Sequence, residues 1–371
     1  MRRLLPLLSM LMVLFAAAGP AVAGPAAAAP PADAPAVLAA APQVYGAWHC
    51  GNDFCTWGTA RTVADFDSAN HWLIDRGDGR PSVNLVVLSF VNPLRLLRQT
   101  TDATTLAGVP RGITPEIVSY FSSRGVRVML SIGGITYTDD WDAALSENPA
   151  LLGQRAAAVA SQLGVGIEID YEQNTDPNLL ALQSFINAYR AIHPYDATGG
   201  RAAARLTIDV AAGDRWLIAL NRKATADWLR TDTPVLDYAN AMVTARPASA
   251  SASIANWQEH IDGKPQFAPP VPPLAPAKFT GGIYIAYGGK PLPECVNYPG
   301  SIQNATASYV GSVAPNGAGT TAGMLGFMFW AAERPATRGI GTVPPNTCQG
   351  GVGAGATALG VQVPQPPLRQ S

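Results

Sequence analysis

Residues 164–172 read Gly-Val-Gly-Ile-Glu-Ile-Asp-Tyr-Glu, and this run constrains the fold more than any other. On a β-strand, side chains alternate between the two faces. Glu168, Asp170 and Glu172 therefore share one face, and Ile167, Ile169 and Tyr171 share the other. Three carboxylates side by side are costly inside a core, so their face has to line a polar pocket while the Ile and Tyr face packs on a helix layer. That is the geometry of a barrel strand carrying functional groups at its C-terminal end. An edge strand with a solvated acidic face fits less well, because it would leave the Ile-x-Ile face without a purpose.

Upstream, Arg127 to Gly134 read as a strand that ends in a Ser-Ile-Gly-Gly turn. Glycine admits positive φ and close backbone approach. Alone this would be an ordinary strand-to-helix turn. The two runs lie about 35 residues apart, the spacing of a β/α repeat. From Gln43 onward there are eight apolar, strand-like runs: Val44–Trp48, Val83–Val91, Val126–Ile132, Val165–Tyr171, Leu206–Val210, Leu236–Met242, Phe279–Ile285 and Gly323–Phe329. Apolar residues at three- and four-residue spacing predict helices over Phe66–Arg76 and Asn178–His193. The alternation predicts a (β/α)8 TIM barrel as a single domain over residues 43–348. Arg246–Ala277 breaks the pattern with a short helical piece, Ile254–Ile261, and a Pro-rich loop. It reads equally as a cleft-shaping loop and as a loose insertion.

With these motifs, the chain resembles glycoside hydrolase family 18, the chitinases and endo-β-N-acetylglucosaminidases, in its single-barrel form. The family's third strand ends in Ser-x-Gly-Gly, matched by Ser131, Gly133 and Gly134. Its fourth strand carries Asp-x-x-Asp-x-Asp-x-Glu, which falls on Val165, Glu168, Asp170 and Glu172. The last two are intact, the first Asp is Val and the second is Glu. Gly326–Trp330 resembles the eighth strand with its Trp, and Val83–Asn92, with Phe90, resembles the second. The resemblance extends from Gln43 to Arg334.

The resemblance implies a secreted hydrolase of β-1,4-linked N-acetylglucosamine polymers that works by substrate assistance. Glu172 would be the general acid, Asp170 would hold the acetamido nitrogen, and Glu168 would share a proton with Asp170. Trp330 would form the floor under the reacting sugar, with Phe90, Ser131, Gly133 and Gly134 around it. The family's sixth strand usually reads Met-x-Tyr-Asp, whereas here Thr244 and Ala245 stand in the Tyr and Asp positions. Thr244 would be a shorter donor, and Tyr284 or Tyr287 could replace the missing Tyr. Trp48, Trp57 and Trp141 read as packing. The implied partner is a polysaccharide or oligosaccharide containing N-acetylglucosamine, with no cofactor and no metal. Alternatives are a non-catalytic carbohydrate-binding or inhibitor barrel, and an endo-β-N-acetylglucosaminidase on glycoprotein or cell-wall glycans. A barrel glycosidase of another type, with Asp170 as nucleophile, would leave Ser131–Gly134 unexplained.

Independently of any family, three neighbouring carboxyls cannot all ionise cheaply, so at least one pKa should rise. The net charge of −1 gives no pointer to nucleic acid. Residues 1–23 have the pattern of a signal peptide, with Arg2-Arg3, an apolar run and Ala21-Val22-Ala23 before the cleavage point. This predicts secretion and no membrane attachment after cleavage. Residues 24–42 read as an Ala/Pro-rich linker, and 349–371 as a Gly/Pro-rich disordered tail. Export makes disulfides plausible; Cys50 with Cys55 and Cys295 with Cys348 form one of three possible connectivities. The four histidines lack ligand spacing. A monomer is expected.

Overall fold

Short runs of Val, Ile, Leu and Phe, separated by capped helices, form the eight strands of a closed barrel. They are β1 (Val44–His49), β2 (Leu85–Val91), β3 (Arg127–Gly133), β4 (Gly166–Asp170), β5 (Leu206–Val210), β6 (Ala239–Ala241), β7 (Phe279–Tyr284) and β8 (Gly326–Trp330). Every strand pairs in parallel with its neighbours in sequence, and β8 closes on β1. This is a (β/α)8 barrel. The structure, a computed structural model, describes residues 43–50, 57–75, 79–213, 215–242, 250–284, 286–287, 290–291, 306, 309–314, 323–330 and 332. The signal peptide, linker and tail expected at 1–23, 24–42 and 349–371 lie outside them.

The period of two places the side chains as the sequence predicts. Ile167, Ile169 and Tyr171 are buried in the apolar layer between strands and helices, with Trp141 and Phe185. A second apolar cluster, including Val44, Leu85, Val87, Met129, Tyr238 and Met328, fills the barrel interior. The polar residues of β4–β7 stand above it.

Helix ends follow local chemistry. The helix Pro149–Leu163 starts with a Pro in its first turn, capped by Asn148, whose side chain accepts from the Leu151 N–H. It stops at Gly164, in the left-handed conformation at φ 66°, which turns the chain straight into β4. Asn178 caps the helix Leu179–Ile192. The helix expected over Phe66–Arg76 instead spans Val63–Asn70 and tightens into a 3₁₀ turn at His71–Leu73, because Thr62 caps it three residues earlier. Where the segment 246–277 is described, the short piece expected at Ile254–Ile261 is part of a longer helix, Ala250–Asp262, whose Trp257, His260 and Ile261 are buried. Trp257 lies so close over Gly281 that a Cβ there would stand 2.5 Å from the indole. That helix belongs to the outer layer between β6 and β7.

The cysteine pairings expected for Cys50 with Cys55 and for Cys295 with Cys348 each involve residues outside the described ones. No helix among the described residues is long and apolar enough to cross a membrane.

Candidate active site

The three acids of the β4 run emerge in order of depth. Glu168 is fully buried, Asp170 nearly so, and Glu172, two residues past Asp170 in the loop after β4, is half-buried at the C-terminal mouth. The register sets Ser131 beside Glu168 and Gly133 beside Asp170. Two buried donors hold Glu168. Trp48 on β1 donates its indole N–H to Oε1 at 2.9 Å, and Asn240 on β6 donates Nδ2 to Oε2 at 2.6 Å. Thr280 on β7 in turn donates to Asn240 Oδ1 at 2.6 Å. A side chain of Glu length reaches donors on both sides of the barrel.

Glycine is required where β3 meets β4. Gly133 has φ 123°, and a Cβ there would stand 1.8 Å from the Asp170 carbonyl oxygen. That oxygen accepts from the Gly134 N–H at 3.0 Å and from the Trp141 indole at 3.1 Å. Gly134, at φ 90°, lies beneath the Phe90 ring, which a Cβ would approach to 3.0 Å. Phe90 stacks on Trp330 with centroids 5.7 Å apart and planes at 25°, and Trp48 meets Trp330 edge-on at 6.3 Å. An aromatic wall thus stands beside the acids. The loop carrying Glu172 is fastened from behind: Tyr171 donates its hydroxyl to Asp142 Oδ1 at 2.5 Å, and Gln173 donates to Asp142 Oδ2 at 2.7 Å.

Burial dominates the electrostatics. It raises Glu168, opposed most by the hydrogen bond from Trp48. Asp170 rises well above the carboxylate range through burial and the charges of Glu172 and Glu168. Glu172 is pushed up to about 7 by burial, opposed by the Ile135 backbone N–H. A carboxyl that titrates near neutrality is suited to general acid–base work.

Several assignments change. Trp48, expected to be packing, contacts the acid cluster. Trp57, stacked on Phe66, and Trp141, bound to backbone carbonyls, are structural. Glu168 has Asp209 of β5 as a further hydrogen-bonding neighbour. Asp209 was missed, although Leu-Thr-Ile-Asp-Val repeats on β5 the alternation read on β4. Val165 lies in the outer apolar layer. The backbone of Tyr284 pairs with Trp330, and that of Tyr287 lies in a small hairpin beyond β7; their side chains, and Thr244 and Ala245, lie outside what is described. Among the described residues, no group of three or more His, Cys, Asp and Glu could hold a metal ion.

Two predictions arise here. Trp48→Phe removes one of Glu168's donors inside the barrel and should lower stability by about 1–3 kcal/mol; denaturant unfolding within about 0.5 kcal/mol of wild type would contradict the bond's role. The second concerns pH. Asp170, Asp209 and Glu172 have raised folded pKa values, so above the unfolded carboxylate range the folded state binds more protons and stability falls as pH rises. The buried His49 and His260, both lowered to about 4, act oppositely, but only below their unfolded value of 6.5. Lys278, lowered to about 8, opposes the trend only above that pH. Between these limits each protonated acid contributes a decline of up to about 1.4 kcal/mol per pH unit. Thermal melts should fall across this window, and a flat or rising melting temperature would refute the assignment.

No family model and no curated protein matches the sequence. Similar solved structures include a GH18 chitinase from Pseudoalteromonas aurantia, at 13% identity and TM-score 0.49, covering 78% of this chain and 93% of that one. A chitinase from Rhizomucor miehei is 12% identical with TM-score 0.44, covering 83% and 98%. Human YKL-39, a pseudo-chitinase with retained chitooligosaccharide binding properties, is 12% identical with TM-score 0.47, covering 85% and 99%. At these identities the likeness is one of fold.

Proposed function

We propose that this chain is a secreted glycoside hydrolase that cleaves β-1,4 linkages of N-acetylglucosamine-containing glycans with the help of the substrate's own 2-acetamido group. The observation that carries the reading is Glu172, a half-buried acid with its pKa near 7 at the barrel mouth, above Asp170 and beside the Phe90–Trp330 wall. Trp330 offers an aromatic face to the sugar ring. Glu172 protonates the leaving glycosidic oxygen as the C–O bond breaks. The acetamido oxygen closes on the anomeric carbon, and Asp170 accepts a hydrogen bond from the acetamido N–H, which keeps its proton. Water then attacks that carbon, gives its proton to Glu172 and reopens the ring, so the configuration is retained.

The reading is tested by incubating the chain with chromogenic chito-oligosaccharides across the acidic and neutral range. Chromophore release with a product that is initially the β-anomer supports it. Binding without release would instead favour a non-catalytic carbohydrate-binding barrel.

A further inference from the structure

We propose that Asp209 is a positioning residue of this site: held as the neutral acid, it donates its carboxyl proton to Glu168 and thereby frees Asp170 for the substrate. This rests on the glycosidase reading above. Three observations support it.

First, Asp209 is on the strand next to the acid strand and faces the same interior. Glu168 pairs with Thr207 and Ile169 with Ile208, so continuing the register brings Asp209 level with Asp170. Asp209 itself pairs with Asn240, which already holds Glu168. Second, the protons can be assigned. Both Glu168 oxygens accept, one from an indole N–H and one from an amide N–H. An indole cannot accept, and the Thr280 hydroxyl orients the Asn240 amide. Glu168 is thus solvated as an anion, and a further carboxyl bonded to it in this buried place must bring its own proton. Third, two oxygens are left over. Asp170 Oδ1 and Asp209 Oδ1 are both buried and make no hydrogen bond. Such atoms are costly unless a ligand partners them. With Asp209 serving Glu168, Asp170 has no partner to give up when a substrate amide enters.

The charged groups bearing on Asp209 are Glu168 and Asp170 on β4 and Glu172 in the loop after it, all acids. Burial and these charges favour its neutral form. The Asn240 side chain on β6 adds no charge.

The test uses Asp209→Ala and Asp209→Asn in the full chain. Asp209→Ala removes the donor, and kcat should fall about a hundredfold, the scale of a misplaced catalytic group, with little change in KM. Asp209→Asn restores an N–H donor of nearly the same shape and should recover at least about tenfold of that loss. A merely space-filling role would not separate kcat from KM. The decisive readout needs no substrate. At neutral pH the infrared spectrum of the wild type should show a carboxylic-acid C=O band, which carboxylates lack, and the wild type minus Asp209→Asn difference should contain it. No such band in that difference, or Asn as damaging as Ala, would overturn the proposal. If the wild type hydrolyses no substrate, the functional reading fails while the infrared difference still decides the proton on Asp209.

Discussion

Glu172→Gln is expected to lower turnover of chito-oligosaccharides by about 10²–10⁴-fold, the usual contribution of a positioned general acid, while leaving binding nearly intact. The amide has almost the shape of the acid, and it can still accept from the Ile135 backbone N–H that meets Glu172. What it lacks is a proton to give to the leaving oxygen. Because the acid form is the active one, wild-type activity should decline as pH rises through about 7, and this alkaline limb should vanish with the residual activity of the variant. Steady-state kinetics and calorimetric titration with an oligosaccharide check both halves. Residual turnover within about tenfold of wild type would remove Glu172 from the acid's role.

Gly133→Ala is the largest structural perturbation that a single methyl can make near the site. The new Cβ would overlap the Asp170 carbonyl oxygen at 1.8 Å and the Trp141 indole nitrogen at 2.3 Å. Both are fixed: the indole donates to that carbonyl, and the Gly134 N–H does too. Relief requires moving the end of β4, so a loss of roughly 3–5 kcal/mol is expected, at the extreme of single substitutions. Gly164→Ala separates the two causes. Gly164 also has positive φ, at 66°, but nothing lies within 4 Å of its missing Cβ. Only the left-handed backbone is penalised there, at about 1–2 kcal/mol. Equal losses in the two variants, measured by denaturant unfolding, would show that the contact with Asp170 is unimportant.

The sequence carried the parts of this site that lie close together along the chain. The three acids of 168–172 alternate with a fully apolar face, and one strand is enough to read that. Ser131, Gly133 and Gly134 were legible because a glycine pair after a strand marks close backbone approach, here to the Asp170 carbonyl. What the sequence hid was the third dimension. Trp48 is 120 residues from Glu168 in sequence and meets it across the barrel, so no local pattern separates it from the packing tryptophans. Asn240 and Thr280 are single polar residues in short strands, and they gain meaning only when parallel register lines them up beside Glu168. Asp209 was within reach, since β5 has the same alternation as β4, but one acid in a strand is a weaker signal than three. The helix Ala250–Asp262 was partly obscured because its Ala- and Ser-rich first turns carry little apolar periodicity; burial of Trp257 and Ile261 fixes it from the other end.

The most direct test of the account compares two chromogenic oligosaccharides that differ only at the sugar 2-position, one with the acetamido group and one with a hydroxyl. Substrate assistance by way of Asp170 and Glu172 predicts cleavage of the first and none of the second. Comparable cleavage of both, or cleavage of the hydroxyl substrate alone, would mean that the acetamido group is not the nucleophile and would contradict the mechanism.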